Sequence, residues 1–327
     1  MNTIVCNNLN KNNIAIGILI YTTVNLGDWT QTVAALYVWW THFKKPNTFK
    51  VFLNNCITTS YINDHPIVWL DRDYISLIPK PDNIEKVIMI CNAWWMIKKY
   101  DVFNFPPPDW IIPIYISMHF QNPQILTQNT ITHLQSFQPI GCRDISTKNL
   151  LEKHNIKAYF SGCLTMILNL HDIKLGFTQT FDYSKISVHI DCFQKKCSFN
   201  NEICIKKTQH HSNIYDIYNI LHVIQELFNF FYAKKIVTTR LHIWLPLISN
   251  NSNVILLNKK TSKIFKNNDT DNQGQKINRF CGLTEIVSDN DNLQKFKNTF
   301  LNETLNKISL ILNKITIIQK KKFTLKK

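Results

Sequence analysis

Short runs of consecutive apolar residues, each followed directly by polar residues, recur along most of this chain. An apolar run without polar interruption is typical of a strand that is buried on both faces of a parallel sheet. Such runs predict strands at 14–21, 86–91, 111–118, 158–160, 186–191, 203–206, 236–239 and 253–258. Apolar residues at helical spacing predict helices at 32–43, 124–137, 146–154, 214–232, 240–247 and 291–318. Strands that alternate with helices indicate an α/β fold with parallel sheets.

The alternation of strands and helices occurs in both halves of the chain, which indicates two domains. With 327 residues, of which 45% are hydrophobic, the chain is long enough to form two cores of ordinary size. We expect an N-terminal α/β domain over residues 1–172 and a C-terminal α/β domain over residues 173–290. Residues 291–327 would add a helix and a basic tail.

The segment KIVTTRLHIWLP, residues 235–246, combines a buried strand, a Thr-rich turn and the start of a helix. The first turn of a helix has free backbone N–H groups, and together with the helix dipole these groups favour an anion. Thr239 lies in the turn, while Arg240 and His242 bring a planar cation and a titratable imidazole to the helix start. We therefore predict that this segment holds an anionic ligand and can protonate it.

The loop after the first predicted strand has a similar construction. Gly27 permits a tight turn, Asp28 can cap the following helix, and Gln31 follows three residues later. Polar residues also follow the strands predicted later in this half, with Asn92 after one and His119 after another. Because ligands bind at the carboxyl ends of strands in open α/β sheets, these side chains are candidates for contacting a substrate. A capped turn without a ligand is the alternative for the loop around Asp28.

The segment PIGCRD, residues 139–144, places Arg143 and Asp144 at the start of a predicted helix, where an anion is favoured. Arg143 is one of only four arginines, whereas lysine supplies the other basic residues counted in the sequence. Arginine binds carboxylate and phosphate through two parallel hydrogen bonds, which lysine cannot imitate. A scarce arginine therefore points to such binding, or alternatively to a structural ion pair.

The turn after the predicted strand 158–160 offers Ser161 and Gly162 as further substrate contacts. Cys163 in the same turn is either a nucleophile or a residue with a packing or positioning role. The second interpretation is favoured, since no base adjoins Cys163 in the sequence.

The formal net charge of +15 falls mostly in the second half of the chain, where lysines cluster near the C-terminus. Such a tail can touch nucleic acid or a membrane surface, but a solvated end is the favoured interpretation. No nucleic-acid-binding motif accompanies the charge, so we expect no nucleic-acid partner.

Nine cysteines, an odd number without paired spacing, predict reduced thiols in a reducing compartment. A zinc site would draw on Cys192, Cys197, Cys204, His189 and His210. Their spacing fits no common zinc module, so we expect no metal. The apolar run at 14–21 is too short to span a bilayer. We therefore expect a cytoplasmic protein without a membrane span.

Five short motifs occur in the order in which they are found in the polysaccharide pyruvyl transferase family, and they are spread over most of the chain. They are Asn25-x-Gly27-Asp28-x-x-Gln31-x-x-Ala34, PIGCRD, SGCLT, AKKIVTTRLHIWLP and RFCGL. The chain resembles this family. The resemblance implies a GT-B-like fold, in which two Rossmann-like α/β domains face a cleft.

The resemblance also implies an activity and the residues that perform it. The family transfers a pyruvyl group from phosphoenolpyruvate to a sugar of a polysaccharide or glycan as a ketal, with release of phosphate. Arg143 and His242 match the essential arginine and histidine of the family. The family also uses a lysine after the strand that follows the histidine, and Lys259 or Lys260 stands at that place. No step of this reaction demands a metal or a cofactor.

The implied chemistry assigns a role to each half of the chain. His242 would act as general acid or base, Arg143 would hold the carboxylate or phosphate of the donor, and Arg240 would assist or brace the site. The candidates for binding the acceptor sugar are Asp28, Gln31, Asn92 and His119. The other predicted substrate contacts are Gly27, Asp144, Ser161, Gly162, Thr239 and Lys259.

Two other functions fit the same architecture. A nucleotide-sugar glycosyltransferase would bind a nucleotide diphosphate in its second domain. A catalytically lapsed glycan-binding protein would bind sugar without turnover. Release of phosphate from phosphoenolpyruvate in the presence of an acceptor glycan distinguishes the predicted activity from both.

Overall fold

The computed structural model describes residues 14–21, 25–43, 48–95, 105–173, 182–191, 202–205, 219–257, 264, 283–287 and 290–324. Its strands are β1 (Ile14–Ile20), β2 (Tyr61–Ile62), β3 (His65–Asp71), β4 (Lys86–Cys91), β5 (Trp94–Trp95), β6 (Ile111–Tyr115), β7 (His119–Phe120), β8 (Ile140–Cys142), β9 (Ala158–Phe160), β10 (Ser187–Ile190), β11 (Glu202–Ile205), β12 (Lys235–Thr238) and β13 (Val254–Leu256). Its α-helices are α1 (Leu26–His42), α2 (Phe49–Thr59), α3 (Gln128–Ser136), α4 (Ile145–Glu152), α5 (Leu170–Ile173), α6 (Asn219–Phe231), α7 (Leu241–Ile248), α8 (Leu283–Ile286) and α9 (Asn290–Thr324). Short 3₁₀ turns lie at Arg72–Leu77, Pro123–Ile125 and Leu164–Ile167.

The first half forms a five-stranded sheet in the order β2-β3-β1-β4-β6. The strands β3, β1, β4 and β6 are parallel, and β2 pairs with β3 in the antiparallel sense. A parallel bridge between Met118 and Cys142 links the segment after β6 to the pair β8–β9. The chain passes from β1 to β3 on one side and then to β4 on the other. β1 and β4 therefore flank a topological switch point, where α/β proteins bind ligands.

The first sheet is buried on both of its faces. In β1, Ile16 and Ile18 belong to one hydrophobic cluster, while Ala15 and Leu19 belong to another. Successive side chains of a strand point to opposite faces, so a strand between two clusters has to be apolar at nearly every position. This requirement explains the continuous apolar runs in the sequence.

The second half forms a four-stranded parallel sheet in the order β11-β10-β12-β13. The chain passes from β10 to β11 on one side and then to β12 on the other. β10 and β12 therefore flank a second switch point. The expectation of an α/β fold with a parallel sheet in each half is confirmed.

The helix α1 joins the two sheets. Every residue from 27 to 39 is buried, as happens when a helix is packed on all sides. α1 contacts β1 of the first sheet and also α6 and α7 of the second half. A single hydrophobic cluster accordingly includes Ile16, Val33, Val188, Val223 and Leu245. The two sheets share a continuous core, and the division into two domains facing a cleft remains a prediction.

The helix predicted at 291–318 is α9, and it packs against both halves. Lys307 donates a hydrogen bond to the Tyr159 hydroxyl at 2.7 Å, and Lys297 donates one to the Ser249 carbonyl at 2.8 Å. The ring of Phe296 covers Gly162, where an added Cβ atom would overlap Phe296 Cζ. None of the helices that the structure describes combines the length and the apolar composition needed to cross a membrane.

Several element boundaries differ from the sequence prediction. α1 begins at Leu26 rather than at residue 32, because the Asn25 side chain caps it by accepting a hydrogen bond from the Gly27 N–H at 3.1 Å. The helix predicted at 124–137 is divided into a 3₁₀ turn and α3, whose start is capped by Thr127. The sequence predicts neither α2 nor β3. Of the helix predicted at 214–232, residues 214–218 lie outside the described residues.

Candidate functional site

The turn between β12 and α7 has the predicted construction. Arg240 is the N-cap residue of α7, and its N–H donates a hydrogen bond to Thr238 Oγ1 at 3.0 Å. His242 follows in the first turn of the helix and is 7% exposed. The helix that follows β12 at the second switch point thus carries an imidazole in its first turn.

The turn between β8 and α4 positions Arg143 and Asp144. The Arg143 N–H donates to the Met118 carbonyl at 2.8 Å, which fixes this turn against the segment after β6. Asp144 is the N-cap residue of α4, and its Oδ1 atom accepts a hydrogen bond from the Thr147 N–H at 2.8 Å. The Arg143 side chain is only 1% exposed.

The side chains of Arg143 and His242 meet inside the protein. Arg143 Nη1 lies 3.4 Å from His242 Nε2. A guanidinium can only donate a hydrogen bond, so Nε2 is the acceptor and the imidazole carries its proton on Nδ1 in this contact. The two helix starts predicted to favour anions therefore adjoin one another, although they belong to different halves of the chain.

The start of α1 completes this group of residues. A Cβ atom at Gly27 would lie 3.1 Å from His242 Cβ and 3.3 Å from His242 Nδ1. Glycine therefore lets α1 and α7 approach this closely, since an added Cβ atom would be crowded against His242. The first turn of α1 also carries Asp28, so the switch points of the two sheets face one another across the Gly27–His242 contact.

The guanidinium of Arg143 is buried, and its positive charge and its N–H groups have few partners among the described residues. Its Nε and Nη2 atoms have no hydrogen-bond partner among the residues that the structure describes. Among the described residues, its ion-pair partner is Asp144, whose Oδ2 atom is 3.9 Å from Nε. A buried cation whose ion pair is this long is costly, so the arrangement is suited to an anion that is supplied from outside the protein.

His119 and Asp144 form a second buried pair. The His119 Nδ1 atom lies 2.6 Å from Asp144 Oδ2, and both side chains are fully buried. Burial by itself raises the pKa of Asp144, but His119, Arg143 and the hydrogen bond from Thr147 lower it by more. The pKa of Asp144 is therefore below its ordinary value, and the carboxylate is ionised.

Arg240 and Thr239 both contact Asp191, which follows β10. Arg240 Nε donates a hydrogen bond to Asp191 Oδ2 at 2.6 Å, and the arginine side chain is 34% exposed. Thr239 Oγ1 donates to the Asp191 carbonyl at 3.3 Å. The structural ion pair, which was the alternative to a catalytic role for Arg240, is therefore present.

The predicted acceptor-binding residues lie at the carboxyl edge of the first sheet. Asn92 Nδ2 donates a hydrogen bond to the Gln31 carbonyl at 2.8 Å, and both residues are buried. The side-chain amide atoms of Gln31 have no hydrogen-bond partner within the described part of the chain. Asp28 lies 4.0 Å from Nη1 of Arg72. Their contact with a sugar stays a prediction.

The sequence did not single out Arg72 for a role at this edge. Its guanidinium is buried, donates to Asp73 Oδ1 at 3.0 and 3.2 Å, and donates to the Trp94 carbonyl at 3.2 Å. It also lies over the ring of Tyr21, 4.6 Å from the ring centroid. The available signal was the scarcity of arginine together with its position directly after β3.

Ser161 and Gly162 stabilise the turn after β9. Ser161 Oγ accepts a hydrogen bond from the Ser117 N–H and donates one to the Cys142 carbonyl, both at 3.0 Å. Gly162 has a φ of +70°, a backbone conformation that side-chain-bearing residues rarely adopt. Cys163 is buried with its Sγ 3.2 Å from Thr165 Oγ1, as the packing interpretation requires.

Some predicted residues lie outside the described part of the chain. They are Lys259, Lys260, Cys192, Cys197 and His210. Among the described residues no group of three His, Cys, Asp or Glu side chains could hold a metal ion. Cys204 is disulfide-bonded, so the expectation that all nine cysteines are reduced thiols is wrong at this position.

Comparison with known proteins gives no independent assignment. No protein-family model and no curated protein matches the chain. The geometry of Arg143, His242 and Gly27 is therefore the main observation on which a function can be based.

Proposed function

We propose that the protein transfers a pyruvyl group from phosphoenolpyruvate to two hydroxyls of a sugar, forming a ketal and releasing phosphate. The single observation that carries this proposal is the buried contact between Arg143 and His242. In this contact a buried guanidinium with few partners lies beside an imidazole. A donor that is an anion and has to be protonated requires both of these groups. The proposal includes a GT-B-like division of the chain, a donor side around His242, an acceptor side around Asp28, and a cytoplasmic location.

Phosphoenolpyruvate suits Arg143 because it carries a carboxylate and a phosphate. The Nε and Nη2 atoms of Arg143 lack hydrogen-bond partners among the described residues, and together they form one edge of the guanidinium. This edge matches the two oxygens of a carboxylate or phosphate. Arg240 supports the site indirectly, since its ion pair with Asp191 fixes the turn that precedes His242.

His242 would move the protons that the reaction needs. Transfer begins when the methylene carbon of the enol gains a proton and the adjacent carbon becomes cationic. A sugar hydroxyl then attacks this carbon and loses its proton, and a second hydroxyl displaces phosphate, which carries away the proton of that hydroxyl as the ring closes. An imidazole titrates near neutral pH and can give and take such protons. An anion bound to Arg143 would offset the positive charge that disfavours a proton on His242 Nε2.

The acceptor sugar would bind at the first switch point, next to the contact between Arg143 and His242. Gln31 and Asn92 combine amide donors and acceptors at that edge, and such groups suit the neutral hydroxyls of a sugar. The half-buried ring of Trp94 lies next to His119, with 6.2 Å between ring centroids. Stacking on a sugar ring and packing in the core are both compatible with this position.

Calorimetric titration of the full chain with phosphoenolpyruvate tests the donor assignment without requiring the acceptor. The wild-type protein should bind phosphoenolpyruvate, whereas Arg143→Lys should bind it about tenfold or more weakly because lysine cannot present two parallel N–H groups. His222→Ala, which removes an exposed histidine of α6, is the control and should bind as the wild type does.

Phosphate release in the presence of acceptor glycans tests the reaction itself. His242→Ala should lower kcat by about 100-fold or more, the factor typical of a lost general acid or base. Absence of phosphoenolpyruvate binding, together with turnover of a nucleotide sugar, would refute the proposal and establish the glycosyltransferase alternative. Glycan binding without turnover of either donor would instead indicate the lapsed, glycan-binding protein.

A further inference from the structure

The carboxylate of Asp144 is placed between two possible partners. Its Oδ2 atom is 2.6 Å from His119 Nδ1 and 3.9 Å from Arg143 Nε. Its Oδ1 atom accepts the N–H of Thr147 at 2.8 Å. The first distance is a strong hydrogen bond, whereas the second is too long for one. Asp144 is thus hydrogen-bonded to His119, whereas its ion pair with Arg143 is long and contains no hydrogen bond.

Loss of the hydrogen bond from His119 would leave Arg143 as the remaining partner for Asp144 Oδ2 among the described residues. A carboxylate that is fully buried has to keep its hydrogen bonds or a close counterion. A rotation of the Asp144 side chain that shortens the distance from Oδ2 to Arg143 Nε, now 3.9 Å, to the usual charge-assisted distance of about 2.8 Å would supply such a counterion contact. Arg143 would then be paired with a carboxylate of the protein itself, and its affinity for an external anion would fall.

We propose that His119 is a positioning residue that holds Asp144 away from Arg143 and thereby keeps the Arg143 guanidinium open to the donor anion. This inference rests on the proposed function, because it assumes that Arg143 binds phosphoenolpyruvate. It differs from the acceptor-binding role that the sequence suggested for His119. The imidazole acts through the carboxylate and need not touch a substrate.

The test is a set of phosphoenolpyruvate titrations of full-length variants. His119→Phe removes the donor to Asp144 and should weaken binding by about 10- to 100-fold, the range expected for one hydrogen bond to a charged group. His119→Asn can still donate an N–H to Asp144 and should keep most of the affinity. The double variant His119→Phe/Asp144→Asn should regain it, because an asparagine cannot neutralise Arg143 but can still cap α4.

The matched control is His133→Phe, which removes a half-buried histidine that is hydrogen-bonded to Tyr115 in the same half of the chain. It should leave phosphoenolpyruvate affinity unchanged. The inference is wrong if His119→Phe binds as tightly as the wild type, or if the double variant binds no better than His119→Phe. A wild-type protein that does not bind phosphoenolpyruvate would refute the proposed function instead, so the two failures are distinguishable.

Discussion

At the scale of single residues, the site depends on a glycine, Gly27, as much as on its charged residues. Gly27 allows the start of α1 to lie against His242, and the predicted Cβ distances of 3.1 and 3.3 Å leave little space for a methyl group. Arg143 reaches the other side of the same imidazole. His242 is therefore held between a cation and a close backbone contact, which leaves its ring few alternative positions.

Gly27→Ala should separate stability from function. Alanine is favoured over glycine in a helix by up to about 1 kcal/mol, which offsets the crowding of the added Cβ atom, so the free energy of unfolding should change little. The added methyl group should displace the His242 ring and weaken phosphoenolpyruvate binding about tenfold. Urea unfolding and calorimetric titration measure the two effects. Thr41→Ala, in the last turn of α1, is the control; an unchanged affinity in Gly27→Ala would mean that His242 tolerates displacement.

The sequence predicted the type and order of the site residues better than their contacts. The strand-to-helix turns that carry Arg143 and His242 follow from local patterns, because residues close together in the sequence determine apolar runs and helix starts. That Arg240 pairs with Asp191, while Arg143 reaches His242, depends on how the two sheets face one another. Arg72 was missed for the same reason, since its role is defined by partners from three separate segments.

At the scale of secondary-structure elements, α9 connects the two halves along one side of the molecule. It contacts Tyr159 and Gly162 of the first half through Lys307 and Phe296. It contacts the end of α7 through Lys297, whose ammonium group donates to the Ser249 carbonyl. A lysine near the carboxyl end of a helix binds a carbonyl that has no partner within the helix, and it complements the helix dipole.

Lys297 should make stability depend on pH. Burial lowers the pKa of Lys297 to about 8 from an ordinary value of 10.5. Between these two pH values the unfolded chain binds more protons at this residue than the folded chain, so stability rises with pH across this window. The gain is at most about 3 kcal/mol, since one pKa unit corresponds to roughly 1.4 kcal/mol.

The free energy of unfolding in urea, measured at pH 8 and pH 10 for the wild type and Lys297→Met, checks this expectation. The free energy of unfolding of the wild type should increase relative to that of Lys297→Met as the pH rises. Lys295→Met changes an exposed lysine of the same helix and provides the control. Equal pH dependence of the wild type and Lys297→Met would show that Lys297 titrates alike in the folded and unfolded chains.

Elements with a strong local pattern were predicted, and those without one were not. The strands β1, β4 and β6 were found because burial on both faces makes them continuously apolar. The early start of α1 was missed, since Gly27, Asp28 and Gln31 are polar or small and yet are buried by neighbours that the local sequence does not contain. Propensity and periodicity cannot report such tertiary contacts.

At the scale of the whole molecule, the two sheets share one core. The hydrophobic cluster that begins on β1 continues through α1 to α7 and the second sheet. Domains that move independently usually meet through smaller and more polar interfaces. The continuous cluster leads us to expect that the halves unfold together, although each contains its own parallel sheet.

Unfolding in urea should therefore be a single cooperative transition. Seven of the eight tryptophans precede residue 111, so tryptophan fluorescence reports mainly on the first half. Far-UV circular dichroism reports on helices and strands of both halves. The two midpoints should coincide, as they do for a two-state protein. Distinct midpoints, or two steps in the dichroism signal, would contradict a shared core.

The burial of residues 27–39 of α1 also has a consequence for the time course of folding. Its partners α6 and α7 lie in the second half of the chain, so they leave the ribosome long after α1 does. Until then one side of an apolar helix has no surface to pack against, and such intermediates are prone to aggregate. Contacts between distant parts of a chain also form slowly. The helix that unites the finished protein thus stays partly exposed in the nascent chain until the second half has been made.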